Sequence, residues 1–457
     1  MGGIAEVALR ALDAALVEAL LFAGVLFLIG GLDDLALDVA WSRLRRPALR
    51  FEDLPCAPAR RLGVFVPAWD EAAVIGAMLT ATLARYRHHD YRVYVGCYPN
   101  DRDTVDAVAA VAERDGRVRL VIGSNDGPTT KADNLNGLWR ALCRADAADG
   151  VETAAVVLHD AEDVVDPYEL ALFDRLLGDH ALVQLPVVPL LDRGATLVSG
   201  TYADEFAESH GRGLVVRSAL GAALPLAGVG CAIRRDALEA LAGEEGAPFD
   251  PRSLTEDYEL GLRVAAAGLP ACFARVRAPD GGALIATRAY FPDRVGPAVV
   301  QKARWMVGIA LAGWDRTGWG GRLRVAEWWM RLRDRRAPLA VIALALAYIA
   351  LVGTGVSTLA HWWRGTVPLP WSPGLRWLLT ANALLLAWRL AMRGFATGAV
   401  YGWAEGARAV PRAIVGNIVA MLAARRALVR YVSMLGGAPP RWDKTAHRFP
   451  DSVADDG

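Results

Sequence analysis

The chain has 457 residues, and its 50 Lys plus Arg balance 50 Asp plus Glu. It therefore has no cationic surplus to recruit a nucleic acid, and its length allows one large catalytic domain with membrane helices or two soluble domains. A positive mean hydropathy with 15 Trp is unlike an ordinary soluble enzyme and matches the aromatic belts of a membrane protein. Acidic residues concentrate in the middle of the chain, whereas the last third is basic and Trp-rich. The five cysteines, Cys56, Cys97, Cys143, Cys231 and Cys272, form no CxxC pair and have no His cluster beside them, which argues against a zinc site. Their odd, scattered placement fits reduced, packed thiols facing a cytoplasm.

From the N-terminus, residues 14–32 form an apolar run broken only by Glu18, long enough to span a bilayer. No basic region precedes the run, and Asp33-Asp34 follow it in place of a small-residue cleavage site, so it reads as an anchor and not as a signal peptide. Arg43, Arg45, Arg46 and Arg50 then place the following chain in the cytoplasm and the N-terminus outside. Strand-like runs at 62–66, 91–95, 118–122 and 154–158 alternate with helical patterns at 71–86 and 103–114. Such alternation predicts a parallel sheet with helices on both faces, and ligands at the carboxyl ends of its strands.

Three polar clusters stand at strand ends or on helices. The strand at 154–158 runs into His159-Asp160-Ala161-Glu162-Asp163, where adjacent carboxylates repel unless a cation lies between them. Hard oxygen ligands suit Mg2+ or Mn2+ carrying a diphosphate, although a solvated acidic turn has the same composition. Thr255-Glu256-Asp257 precedes a helical stretch at 258–267, which is also an ordinary N-cap arrangement. Gln301-Lys302-Ala303-Arg304-Trp305 offers a guanidinium for phosphate oxygens and an indole for the apolar face of a sugar. A juxtamembrane basic anchor is the structural alternative there.

Residues 337–360 carry no charge, follow Arg331, Arg333, Arg335 and Arg336, and form the clearest transmembrane helix. A turn rich in Trp and Pro at 361–373 leads to a returning span at 371–388, with Arg389 and Arg393 on the inner side and Arg376 able to snorkel outward. Segment 413–424 is apolar but short, and Arg408, Arg412, Arg425, Arg426 and Arg430 flank it. An interfacial amphipathic helix and a fourth span both remain open.

In this order the three clusters resemble the D, DxD, TED, QxxRW series of glycosyltransferase family 2, in the branch that contains cellulose and hyaluronan synthases. Pro67-Ala68-Trp69-Asp70-Glu71 is similar to the family's P-A-x-N-E opening, and Lys131-Ala132-Asp133-Asn134-Leu135-Asn136 to K-x-x-N-L-N. Gly230 through Arg234-Arg235 resembles the segment before TED. The strings Tyr98-Pro99-Asn100-Asp101, His159 to Asp163 and Trp442-Asp443-Lys444-Thr445-Ala446-His447 narrow the likeness to one inner-membrane group. Relatives there can carry a C-terminal regulatory domain for a cyclic dinucleotide. The resemblance implies that this chain, which ends soon after Phe449-Pro450, lacks one. Two positions depart from the family: Cys97 and Tyr98 replace an acid pair that reads the nucleobase, with Asn100, Asp101 and Asp103 nearby, and the metal motif is Asp-Ala-Glu.

The resemblance implies an α/β fold: a GT-A type nucleotide-sugar-binding domain with a mostly parallel sheet, plus α-helical transmembrane segments. It divides the chain into an N-terminal transmembrane helix and linker (1–50), a cytoplasmic transferase domain with interfacial helices (51–335), a transmembrane and interfacial region (336–435) and a flexible tail (436–457). By family position Asp160, Glu162 and Asp163 hold Mg2+ or Mn2+, and Pro67, Glu71, Asp101, Lys131, Asp160 and Arg304 bind the nucleotide-sugar. Asp257 is the base with Glu256 beside it, and Thr255, Gln301 and Trp305 meet the acceptor. The implied activity is inverting, metal-dependent transfer from a nucleotide-sugar, by family default a UDP-sugar, to a growing cell-surface or exported polysaccharide. Its implied place is the bacterial inner membrane, multi-pass, with a cytoplasmic catalytic domain. Single-sugar transfer to a lipid carrier is the alternative, because so few spans make a poor private channel unless an export partner protein supplies one. A non-catalytic membrane receptor or scaffold is the reading from another class, and retention of Asp160, Asp257, Gln301 and Arg304 speaks against it.

Overall fold

The computed structural model describes residues 2–57, 59–192, 194–321, 324–437 and 447–450. The four expected strands form as β1 (Leu62–Pro67), β2 (Tyr91–Cys97), β3 (Val118–Ile122) and β4 (Ala155–Leu158). Further along lie β5 (Leu182–Gln184), β6 (Val187–Leu190), β7 (Cys231–Arg234), β8 (Ala271–Phe273) and β9 (Thr287–Tyr290). Seven of these make one sheet in the order β3-β2-β1-β4-β7-β5-β8, while β6 and β9 pair separately. Every neighbouring pair in the large sheet is parallel except those made by β7, which runs antiparallel to β4 and β5.

Alternation along β1 shows how the layers arise. Leu62, Val64 and Val66 point into one core with Ile75, Met78 and Leu79 of α2 (Ile75–Arg85), Val108 of α3 (Arg102–Ala112) and Phe173 of α5 (Glu169–Leu176). Phe65 points the other way, toward Leu135, Leu138 and Leu142 of α4 (Lys131–Asp149) and Leu260 and Val264 of α7 (Glu256–Ala266). A strand buried on both faces is what a parallel sheet between two helical layers demands. Thr130 starts α4 by accepting the Asp133 N–H at 3.2 Å, and Gly150 ends it in the left-handed conformation at φ 66°. All five cysteines are free.

Among the described residues, three helices are long and apolar enough to cross a membrane: α1 (Gly2–Leu44), α10 (Ala337–Arg364) and α11 (Pro373–Tyr401). Each exceeds its expected span. The extra length of α1 carries Trp41 to the domain, where its indole N–H donates to the Gly211 carbonyl at 3.1 Å. Glycines let these helices close on one another. A Cβ on Gly24 or Gly31 would strike Leu378 or Leu385 at 2.9 or 2.8 Å, and one on Gly353 would strike Leu16 at 2.5 Å.

The segment expected at 413–424 is the middle of one helix, α12 (Trp403–Leu435), which runs through Pro411 and is not among the three membrane-crossing candidates. Its Ala409, Val419, Ala423 and Ala427 are buried, with Ala423 and Ala427 against Ala303 and Val307 at the end of α8 (Val295–Met306). Val410, Ile414, Ile418 and Leu422 recur every fourth residue on its exposed face. One apolar face outward and one sewn to the catalytic domain fits the interfacial alternative. Of the tail expected at 436–457, residues 438–446 and 451–457 lie outside the described residues, and 447–450 dock on the domain beside the cleft.

Candidate active site

At the end of β1, Pro67 pairs with Gly96, and Asp70 in the following turn adopts φ 54°, a left-handed backbone that a residue with a side chain rarely takes. Helix α3 secures that turn. The Asp70 N–H donates to Asp101 Oδ2 at 2.5 Å, and the Glu71 N–H donates to Thr104 Oγ1 at 2.9 Å. Asp101 also caps α3 through the Thr104 N–H at 3.4 Å and does not line the cleft. In this structure its carboxylate holds backbone, and Pro67 is likewise not in the lining of the cleft. Asn100 is occupied too, exchanging two 2.8 Å hydrogen bonds with the Gly127 backbone. Where the family places acids, this chain offers aromatics: Tyr98 meets Trp69 edge-on at 5.3 Å, and burial pushes the Cys97 thiol up to about 12.

β4 delivers the acidic turn. His159 is fully buried, with Nδ1 2.9 Å from Asp163 Oδ2 and Nε2 2.7 Å from Glu169 Oε1. Burial alone would lower its pKa, but the Glu169 and Asp163 carboxylates outweigh it and raise the imidazole to about 10, so it is an imidazolium. Tyr86 donates to the same Glu169 oxygen at 2.6 Å, and the Asp160 N–H donates to Asp163 Oδ2 at 3.0 Å. Asp163, expected as a metal ligand, thus points that oxygen inward and braces the turn. Asp160 pairs with Lys131 Nζ at 2.5 Å. Glu162 differs: its Oε2 is buried without a hydrogen bond, and burial with the nearby Asp160, Asp163 and Glu71 charges lifts its pKa to about 8 against the pull of His447.

Across the cleft stand Thr255, Glu256 and Asp257. Thr255 occupies the N-cap position of α7, yet its hydroxyl makes no cap bond and is buried without a partner. Capping therefore does not account for the motif. Gly228, at φ 78°, leaves room for Asp257: a Cβ there would meet Asp257 Oδ2 at 2.5 Å. Burial and the Asp257 charge raise Glu256 to about 7, and burial raises Asp257 while Lys131 and Arg304 hold it down. Helix α8 brings Gln301, Arg304 and Trp305 to the same cleft, with Gln301 Oε1 and Arg304 Nε buried and unbonded. Trp305 joins an aromatic wall, edge-on to Tyr202 at 6.1 Å and near Phe206 at 6.5 Å.

One cleft of about 1030 Å³, open mouth included, is lined by Lys131, Asp160, Glu162, Asp163, Thr255, Glu256, Asp257, Gln301, Arg304 and Trp305. The expected donor, metal, base and acceptor groups therefore meet, apart from Pro67, Asp101 and Glu71, which are not in its lining. Glu71 reaches it indirectly, because His447 Nδ1 lies 2.7 Å from Glu71 Oε1 and His447 lines the cleft. Sequence reasoning gave His447 no role, although the string that ends on it carried part of the family likeness; residues 442–446 of that string lie outside the described residues.

A family model described as glycosyltransferase like family 2 matches residues 58–308. Two curated relatives, bacteriophage adsorption protein B of Escherichia coli K12 and bacteriophage N4 adsorption protein B of Escherichia coli O157:H7, are each 34% identical over 467 residues. Each alignment covers 94% of this chain and 62% of the relative, so the chain spans less than two thirds of their length. Among solved structures, a mannosyltransferase, PcManGT from Pyrobaculum calidifontis, in complex with GDP-Man and Mn2+, has a TM-score of 0.51 at 19% identity, covering 92% of this chain and 99% of its own. That likeness shows the GT-A type fold. With a family match over more than half its length, the chain belongs to glycosyltransferase family 2.

Proposed function

We propose that the protein is an inverting, metal-dependent glycosyltransferase at the bacterial inner membrane. In this reading it moves a sugar from a nucleotide-sugar, by family default a UDP-sugar, to a growing cell-surface or exported polysaccharide. One observation carries the proposal: among the described residues, buried polar atoms of Glu162, Thr255, Gln301 and Arg304 have no hydrogen-bond partner, and all belong to residues lining one cleft. Unsatisfied buried groups are costly, and a site that gathers them is built for a polar ligand. The GDP-Man and Mn2+ in the solved mannosyltransferase of the same fold are consistent with a nucleotide-sugar and a divalent cation.

The residues divide the work. A divalent cation, with Glu162 as its first candidate ligand, would neutralise charge on the departing diphosphate. Asp257 takes the proton from the acceptor hydroxyl, and its raised pKa makes it a stronger base than a solvated aspartate. Lys131 ties the Asp160 turn to the floor, and Arg304 holds phosphate oxygens. Trp305 and its aromatic neighbours present an apolar face to the acceptor's terminal sugar. Direct displacement by the deprotonated hydroxyl gives inversion. The arginines flanking α1, α10 and α11 support a cytoplasmic side for this cleft, where nucleotide-sugars are made.

The Asp257→Asn variant keeps the shape and removes the base. Turnover should fall by about 10²- to 10⁴-fold while nucleotide binding persists; near-normal turnover would overturn the assignment. Product length after incubation with donor distinguishes polymerisation from single-sugar transfer to a lipid carrier.

A further inference from the structure

The docked terminal segment brings a nitrogen ligand to a cleft otherwise furnished with oxygens. His447 Nδ1 lies 2.7 Å from Glu71 Oε1 and 3.2 Å from Glu162 Oε2. One ring nitrogen can direct a single proton along a single line, so it hydrogen-bonds Glu71, and the buried Glu162 Oε2 is left without a hydrogen bond. The three candidate ligand atoms all lie within 4.8 Å of one another. We propose that Glu71, Glu162 and His447 together hold the divalent cation, so that the C-terminal segment completes the metal site, while Asp160 serves as the counter-ion of Lys131.

The placement is supported from three directions. Glu71 comes from the turn after β1, Glu162 from the turn after β4, and His447 from the far end of the chain, 376 residues beyond Glu71. The residues that follow His447 anchor it at the cleft. Arg448 pairs with Asp192 at 2.9 Å and lies over the Tyr290 ring, while Phe449 packs against the core around α2 and α3. Asp160 is the less suitable ligand because Lys131 already neutralises it at 2.5 Å. A set of two carboxylates and one imidazole also carries a selectivity: nitrogen favours Mn2+ over Mg2+, which is content with oxygen alone.

This inference rests on the glycosyltransferase reading for its meaning, but its test uses Mn2+ alone and no sugar donor. Mn2+ is titrated into the full chain in detergent, with affinity read by calorimetry and coordination by pulsed EPR. Wild type should show the nitrogen modulation of a directly bound imidazole. His447→Ala should lose that modulation and weaken Mn2+ binding by about tenfold or more. Glu162→Gln should weaken binding while retaining the nitrogen signal in the fraction bound, and Asp160→Asn should leave affinity essentially unchanged. The wild-type spectrum decides the matter even where a variant fails to fold. No Mn2+ binding, a wild-type spectrum without nitrogen, or loss of binding in Asp160→Asn would each overturn the site. An intact nitrogen signal in a protein that uses no nucleotide-sugar would refute the catalytic reading and spare the site; sugar transfer without the nitrogen signal would do the reverse.

Discussion

Acidic residues live in two different electrostatic settings in this molecule. Between the helices and the domain, acids are matched by arginines: Asp33 and Asp34 meet Arg333 and Arg336, Asp38 meets Arg212, and Asp204 meets Arg412 at 2.8 Å. In the cleft, Glu256 stands beside Asp257 and Glu162 beside Asp160, Asp163 and Glu71, and burial raises the pKa of Glu162, Glu256 and Asp257. The first arrangement is satisfied in the protein as it stands. The second is costly until a cation and a polar ligand enter. Matched charge marks where the molecule is held together, and mismatched charge marks where it acts.

Four expected outcomes sharpen or break that contrast. Chelation of divalent cations should reduce sugar transfer to background, with recovery on adding Mn2+, and leave the helix–domain arginine pairs intact. Asp204→Ala should do the opposite kind of damage. It leaves the buried Arg412 guanidinium with Glu405 as its remaining carboxylate, and the lost charged hydrogen bonds should cost about 1.5–3 kcal/mol, read by denaturant unfolding in detergent. Equal stability of that variant and wild type would erase the distinction.

Glu256→Gln should raise stability, because the folded protein holds this carboxyl at about 7, above its ordinary 4.5. Ionisation therefore opposes folding, with a penalty absent below about pH 4.5 and complete above about 7. The variant's advantage should accordingly be larger at pH 8 than at pH 5. His159 has the opposite sign. Its folded pKa of about 10 exceeds the ordinary 6.5, so its contribution is fully present below about 6.5 and is lost as pH rises through 10. The stability gap between wild type and His159→Gln should close over that range.

Much of this architecture is legible in the sequence. Strands β1, β2 and β4 announce themselves because both faces are buried, giving largely apolar runs, and α10 does so because no charge interrupts its first 24 residues. The order of acidic turn, TED and QxxRW places the cleft, since strand ends and helix starts are where a parallel sheet exposes its groups. What escapes the sequence is long-range. Nothing near Asp101 says that its carboxylate will hold the backbone of Asp70, and nothing near Asp163 says that a buried His159 will draw its oxygen inward. The Asp204–Arg412 pair spans 208 residues and the His447–Glu71 contact 376, so only the folded chain brings either together. Helix α12 was underestimated for a local reason: Pro411 and its arginines interrupt the apolar pattern, yet packing of small residues on α8 carries the helix through.

The central claim is that the crowded acids of the cleft serve sugar transfer. The most direct measurement is release of free nucleotide from a panel of nucleotide-sugars, UDP-sugars first, by the purified full chain with Mn2+ present. We predict release from one donor class, dependent on the cation. No release from any donor by folded, Mn2+-binding protein would contradict the account.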